Sequence, residues 1–403
     1  MTVANPQTAP HPRLRVVSVC RLLPTPQSPG NGTFVLNRLA AMASHAELEV
    51  IQPVPYLPVV RALPAWAATE QHALASLSIR HAPMLYVPGV LKGLDGRWLA
   101  RSIRGHVRRL QRNGRIDALD AHFGHPEGTG CARLAAELAV PFFVTIRGTE
   151  ADMLGRPALR EQLLAALGAA AGCISVSHSL RDLIVANGVD LQRVTVIPNG
   201  VNRRLFHPGD PAAARAALGI DPRVRLLVSV GHLLSVKRHA TLIEATRRLR
   251  QEMEVKLVII GGPSYEPDHP AALRRQVAEA GLEDVVSFKG ALPPSEVAQW
   301  LCAADAFALA SAREGCCNAL LEALAVGLPA VVTRVGDNAH FVRPGSNGAL
   351  VDVDDAAGMH QALAEVLSRS WTREAISRGL DVGDWDSVGI RVLEFFGARL
   401  RVS

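Results

Sequence analysis

Short apolar runs alternate with helix-forming stretches along this chain, and the alternation occurs in two successive series. Runs of this kind read as strands buried on both faces, which requires a largely parallel sheet covered by helices. In the first series, Leu14 to Val19, Leu48 to Ile51, Asp117 to Ala121, Phe142 to Thr145, Cys173 to Val176 and Val194 to Ile197 are the strands. A Pro/Gly/Asn loop, Pro24 to Gly32, leads into a helix from Thr33 to about Ser44. Residues 53–64 and 82–96 are rich in Pro and Gly and read as long loops around an intervening helix. The second series comprises Leu226 to Val230, Lys256 to Ile260, Val285 to Phe288, Ala306 to Ala308, Ala330 to Thr333 and Ala349 to Val351. The predicted fold class is α/β, with two doubly wound Rossmann-like domains over residues 1–200 and 201–384. Their joint falls near Pro198 to Val201, and a terminal helix, 385–403, packs back on the first domain. Ligands of doubly wound sheets bind beyond the C-terminal strand ends, so the expected site is a cleft between the two domains.

A length of 403 residues suffices for two or three domains with real cores. No apolar run reaches the ~18 residues that span a bilayer. The stretch Met1 to Pro12 lacks the apolar core of a signal peptide, which leads to the expectation of a cytoplasmic protein. Six cysteines, none at metal-ligand spacing, are expected to be reduced thiols. Residues 1–200 carry 20 Lys+Arg against 13 Asp+Glu, whereas 201–403 carry 23 against 24. A basic first half suits a phosphorylated acceptor or peripheral contact with an anionic membrane at the inner face, although a solvated basic surface accounts for it equally. Arg97 to Arg115 holds seven arginines with Trp98, Leu99, Ile103, Val107 and Leu110 at helical spacing; it reads as a membrane-surface helix or a solvated basic face over core residues. Few aromatics and no recognition motif argue against nucleic-acid binding. No G-x-G-x-x-G follows a strand and no P-loop occurs, which removes the main support for nicotinamide dehydrogenase or P-loop chemistry.

The densest chemistry lies in Glu314-Gly315-Cys316-Cys317-Asn318-Ala319-Leu320-Leu321-Glu322. Asn318 favours a helix start, and Gly327 followed by Pro329 ends the helix. Leu320, Leu321, Leu324 and Ala325 form its apolar stripe, and Glu322 falls at the stripe's edge. Free N–H groups at a helix start make an anion seat, and two carboxylates can accept hydrogen bonds from sugar hydroxyls. A capped helix with a solvated glutamate is the competing reading. Other polar residues follow strand ends: Gly30 and Gly32, His122 and His125, Arg147, Gly231 and His232, Lys237, and Gly261 with Gly262. Lys237, one of four lysines, suits a departing diphosphate, whose developing charge needs neutralising. Arg147 suits a phosphate, a carboxylate or a structural ion pair. Asp352 and Asp354 have metal-like spacing but end a strand, with Asp354 or Asp355 expected to cap the next helix.

These segments together resemble the family 4 glycosyltransferases, retaining enzymes of the GT-B fold. Glu-Gly-x-x-Asn-x-x-x-Glu-Ala at 314–323 is the most specific motif, and Asp120 to Gly128, Val144 to Glu150, Ser175 to His178, Val196 to Asn202 and Gly231 to Lys237 extend it. The first half looks most like bacterial members that build cell-surface polysaccharides. The resemblance implies a UDP- or GDP-sugar donor and a saccharide or lipid-linked acceptor, with neither cofactor nor metal. It implies that Glu314 contacts the donor sugar, with the N–H groups of Gly315, Cys316, Cys317 and Asn318 in support. Glu322 would hold the ribose, Lys237 the diphosphate, and Gly231, His232 and Gly261 would complete the donor side. His122 would approach the reacting carbon, while Gly30, Gly32 and Arg147 would serve the acceptor side. Three positions depart from the family: His232 where Arg is usual, Cys317 where Pro is common, and His340 where Glu is common. A nucleotide-sugar epimerase and a non-catalytic sugar-nucleotide-binding protein are the alternative functions.

Overall fold

The computed structural model describes residues 13–401 apart from 27, 29, 59–61, 68–70, 75–76, 263–265 and 267. The stretch Met1 to Pro12, parts of the loops 24–32 and 53–64, and Pro263 therefore lie outside the described residues. The chain divides into two compact units. One runs to Ile174 and adds Asn187–Thr195 and the segment from Gly389 onward; the other is Ser175–Ala186 with Val196–Val388. A boundary at residue 200 does not anticipate the place of the helix His178–Ala186 in the second unit. The reason is local: the Asp337 carboxylate accepts from the backbone N–H groups of His178 (2.7 Å) and Ser179 (2.9 Å), and so caps that helix.

The first unit's sheet comprises β1 (Arg15–Val19), β2 (Glu47–Tyr56), β3 (Gln71–Leu74), β4 (Leu77–Leu85), β5 (Ala118–His122), β6 (Phe142–Ile146), β7 (Gly172–Ser175) and β8 (Val194–Val196). Their order is β3-β4-β2-β1-β5-β6-β7-β8. Two expectations fail here. Residues 53–64 are not all loop, because β2 continues through Pro53 and Pro55 to Tyr56. Its pairing with β1 stops at Ile51, whereas its pairing with β4 runs on to Tyr56. Prolines two residues apart lack their N–H on the same edge, so the ladder on the other edge survives. The expected helix between the loops is instead the antiparallel pair β3/β4. Along β4 burial alternates at first, with Leu77, Ile79 and His81 inside and Ser78 exposed, which is strand periodicity.

The second unit's strands are β9 (Arg225–Val230), β10 (Val255–Ile260), β11 (Val286–Gly290), β12 (Ala306–Leu309), β13 (Ala330–Thr333) and β14 (Gly348–Val351). Their order, β11-β10-β9-β12-β13-β14, is that of a dinucleotide-type doubly wound sheet, with its switch point between β9 and β12. Both faces are buried. Leu226, Val228, Phe307, Leu309 and Val332 point into one core, and Leu227, Leu257, Ile259, Ala308 and Val331 into the other. This two-sided burial is why the strands read as continuous apolar runs rather than as alternating ones.

The final helix, Trp385–Leu400, enters the first unit at Gly389. A Cβ at Gly389 would fall 2.9 Å from Ala41, so only glycine permits this approach. Phe396, fully buried, stacks on Phe143 of β6 with ring centroids 4.0 Å apart. Phe396→Ala should destabilise the protein by about 3–5 kcal/mol through the cavity it leaves. Urea denaturation followed by circular dichroism measures this, and a change below about 1 kcal/mol would show that the helix is not anchored by this stack.

Candidate active site

In the second unit, the loops that follow β9 and β12 meet at the sheet's switch point. Lys237 ends the first loop and Glu314 lies in the second; Lys237 Nζ donates to Glu314 Oε1 at 2.7 Å. Burial alone would push the lysine down, but the adjacent carboxylate outweighs it and holds the ammonium above its ordinary value. Ser311 Oγ donates to the same carboxylate oxygen at 2.6 Å. Thr333, at the end of β13, donates to the Ser311 carbonyl at 2.6 Å, and Asn338 Nδ2 donates to the Thr333 carbonyl. The Glu314 turn is thus held from its neighbouring strand. Gly336 (φ 55°) packs directly on that turn, where a Cβ would fall 2.4 Å from the Glu314 carbonyl oxygen. Gly261 is similarly confined, because a Cβ there would lie 1.9 Å from the carbonyl oxygen of Gly231, whose own Cα faces the Lys237 stem.

The helix after this turn spans Asn318–Ala325. Cys317 occupies its N-cap without a side-chain cap bond, so Asn318 is the first helical residue and not the cap. Asn318 Oδ1 accepts instead from Asn199 Nδ2 at 2.8 Å. The N–H groups of the first turn have no intrahelical acceptors. Leu320, Leu321, Leu324 and Ala325 are fully buried as expected. Glu322 is half-buried and forms no hydrogen bond or ion pair among the described residues. Desolvation pushes its carboxyl up to about 8. A carboxyl held protonated and without a partner here can both donate to and accept from ligand hydroxyls. His232 is exposed, and its carbonyl accepts from Nε2 of the fully buried His239 at 3.2 Å. Burial takes His239 down to about 4, so a neutral imidazole braces the Lys237 loop. Asp354 pairs with Arg238 (2.9 Å) and Asp355 caps the next helix. His340, also exposed, packs against His178 with centroids 4.5 Å apart and the rings tilted by 36°.

The first unit gathers its polar residues at the ends of β1, β5 and β6. His122 closes β5 and is fully buried. Its Nε2 lies 3.0 Å from Asp120 Oδ2, and its Nδ1 lies 3.1 Å from Arg147 Nη2. Arginine can only donate, so Nδ1 accepts and the proton sits on Nε2. Burial lowers His122 to about 4, which keeps it neutral. Burial would raise Asp120, yet contacts from His122, Arg38 and Ser18 outweigh it and hold the carboxylate well below its usual range. Both ring nitrogens are therefore committed and the ring offers no exposed surface; the group this cluster presents outward is Arg147. Gly30 lies open, whereas Gly32 is packed against the Leu22 carbonyl. A cavity of about 210 Å³ in the first unit is lined by Arg21, Lys92 and Arg156, by Asp95 and Asp152, and by Tyr86, His125 and Thr149.

Several positioning residues escaped the sequence reading. Fully buried Glu150 accepts from the N–H groups of Gly124 (2.8 Å), Arg147 (3.1 Å) and Gly148 (2.8 Å), tying together the loops after β5 and β6. An acidic residue opening a helix was its only signal. His239 and Asp337 gave none, because their partners lie far off in sequence or are backbone atoms, and Ser311 gave none although its partner Glu314 is only three residues away.

The Glycosyl transferases group 1 family profile matches residues 196–379, and the Glycosyltransferase Family 4 profile matches residues 59–205. The D-inositol 3-phosphate glycosyltransferase of Frankia alni is 30% identical over 66% of this chain and 69% of its own length. The same-named protein of Pseudarthrobacter chlorophenolicus is 28% identical over 72% and 73%. Among solved structures, sucrose-phosphate synthase from Thermosynechococcus elongatus superposes with a TM-score of 0.80 at 18% identity, covering 97% of this chain and all of that one. The Anabaena protein HepE in complex with UDP and glucose gives 0.76 at 17% identity, covering 96% and 100%.

The state of Glu322 has a measurable consequence. Between its ordinary value of 4.5 and about 8, the folded protein holds a proton that the unfolded chain has released. Its contribution to stability therefore falls as pH rises through that window. Glu322→Gln should melt above the wild type at pH values near 8 and level with it near pH 4.5. Equal melting temperatures at both ends would contradict the desolvated, unpartnered state of this carboxyl.

Proposed function

Because the chain belongs to the family 4 glycosyltransferases and has their GT-B fold of two Rossmann-like units, we propose that it moves a sugar, with retention at the anomeric carbon, from a UDP- or GDP-sugar to a saccharide or lipid-linked acceptor in cell-surface polysaccharide synthesis. The observation that carries this reading is the Lys237–Glu314 contact at the switch point of the second sheet, where ligands of such sheets bind. The roles follow from the chemistry of each group. Lys237 and the first-turn N–H groups of Asn318–Ala325 receive the diphosphate, Glu314 the sugar hydroxyls, and Glu322 the ribose hydroxyls. Gly231, His232 and Gly261 shape the wall beside the diphosphate. A uridine donor is favoured by analogy with HepE, whose structures hold UDP, UDP and glucose, or UDP-glucose.

The acceptor is assigned to the first unit, where Gly30, Gly32 and Arg147 lie near the ends of β1 and β6. The named substrate of the curated relatives is a phosphorylated polyol. Of the cations around the cavity Lys92 pairs with Asp95 and Arg21 with Glu127, which leaves Arg156 as the one without an ion pair among the described residues to meet an anionic acceptor of that kind. His122 is a positioning residue in this reading, holding Arg147 through its Nδ1. In the transfer, the acceptor hydroxyl attacks the anomeric carbon on the face from which the diphosphate departs. The carbon–oxygen bond to the diphosphate breaks, the bond to the acceptor oxygen forms, and the hydroxyl proton passes to the departing phosphate oxygen. Lys237 and the helix start neutralise the charge that develops there, so the reaction is proposed to need no divalent cation.

Purified Lys237→Ala and Glu314→Ala should each lose on the order of 10²–10³-fold in kcat while remaining folded. Wild-type turnover should survive EDTA in the same assay. Near-wild-type activity in either variant, or an EDTA loss restored by Mg²⁺, would refute the assignment.

A further inference from the structure

The seven arginines of Arg97 to Arg115 leave a question that the proposed reaction does not absorb. The helix Asp95–Arg112 buries Leu99, Ile103 and Val107 completely and Leu110 almost so. Its apolar side is thus spent on the protein core and is not available to enter a membrane. What the helix presents outward is charge. At 100° per residue, Arg97, Arg101, Arg104, Arg108 and Arg112 fall within an arc of about 80°, on a side away from the buried row. The row runs for roughly 22 Å along the helix axis. Its opposing charge is slight. Glu137 of the neighbouring helix pairs with Arg104 (2.9 Å) and Arg108 (2.7 Å), and Asp95 is buried against Lys92. Arg97, Arg101 and Arg112 have no ion pair or hydrogen bond among the described residues. Further out, Arg115 pairs with Asp117.

At the N-terminal end of this row, Val90 and Leu91 are 58% and 56% exposed, more than any other large apolar side chain among the described residues. Leu91 also holds a left-handed backbone (φ 56°), a conformation rare for a branched side chain. The turn is fixed by Lys92, whose Nζ donates to the Val87 carbonyl and lies 3.5 Å from the centre of the Tyr86 ring. Leu91 lines a crevice of about 520 Å³ with Leu94, Arg97, Arg133, Glu161 and Gln162. Arg133 adds one more exposed cation and Glu161 one anion.

A row of guanidinium groups ending in an exposed apolar tip matches the two layers of a bilayer surface. The guanidinium groups pair with headgroup phosphates, and the tip enters the boundary with the acyl chains. A nucleic acid would use the row and leave the tip exposed to water. We propose that this face docks the first unit on an anionic lipid surface. The inference extends the reading of a lipid-linked acceptor, and its test can fail separately from the donor assignment.

The test is flotation of the full chain with phosphatidylcholine vesicles, either pure or containing about one third phosphatidylglycerol. Wild type should float with the anionic vesicles and not with the neutral ones. Arg97→Glu/Arg101→Glu/Arg112→Glu breaks no ion pair or hydrogen bond among the described residues; it should weaken binding at least tenfold, since each cation near the surface is worth about fivefold. Val90→Ser/Leu91→Ser should abolish the binding that persists at high salt. Melting temperature checks folding of each variant, and the shift in melting temperature on adding UDP or GDP checks the donor site, which these substitutions leave intact. Equal flotation with neutral vesicles, undiminished flotation of the triple variant, or binding of single-stranded RNA without flotation would overturn the proposal. Should the triple variant misfold, Arg97→Gln/Arg101→Gln with a several-fold loss gives the same decision.

Discussion

The contact between Lys237 Nζ and Glu314 Oε1 is the point on which the second unit's site depends. It joins the loops of two strands adjacent in the sheet but about eighty residues apart in sequence, and it lies where the strand order reverses. Everything around it serves to hold that contact in place. Ser311 and Thr333 fix the carboxylate's turn, His239 braces the lysine's loop, and Gly336 and Gly261 allow neighbouring backbone to come within reach. A buried charge pair needs such support, because removing either partner leaves the other desolvated and unpaired.

The two units treat buried charge in different ways. In the first, hydrogen bonds link Asp120 to His122 and His122 to Arg147, Arg38 lies 3.9 Å from Asp120 with its Nε and Nη2 lacking hydrogen bonds, and the histidine is neutral. That arrangement suits a scaffold that orients Arg147. In the second, Glu322 is left without a partner and at a desolvation cost. Proteins retain such costs mainly where a ligand relieves them. The difference gives physical grounds for assigning donor binding to the second unit and a positioning role to His122.

Much of this architecture was legible because two-sided burial writes itself as apolar runs, and the runs from Leu226 to Val230 and Ala330 to Thr333 fall within a residue of the observed strands. Helix-start chemistry at 314–323 and the arginine periodicity of 97–112 were also readable from spacing alone. Three things were not. Pro53 and Pro55 disguised a strand, because proline is tolerated once a neighbouring strand has ended, and the end of β1 is a tertiary fact. The hairpin β3/β4 was hidden because its alternation is short and polar. The supports His239, Glu150 and Asp337 act through contacts across long sequence distances or to backbone atoms, which no local pattern records. Position 232, where the resemblance leads one to expect an arginine beside Lys237, holds an exposed histidine, and Glu314, an anion paired with Lys237, does not replace that second cation.

The central claim is that Lys237, positioned by its contact with Glu314, receives the diphosphate of a sugar donor. The direct measurement is calorimetric: the affinity of UDP or GDP, whichever raises the melting temperature, against its monophosphate. Removing both partners together, in Lys237→Ala/Glu314→Ala, keeps the net charge and avoids an orphaned carboxylate. Wild type should prefer the diphosphate by at least about tenfold, equivalent to about 1.4 kcal/mol, and the double variant should lose most of that preference. An undiminished preference in the double variant would place the diphosphate elsewhere and contradict the account.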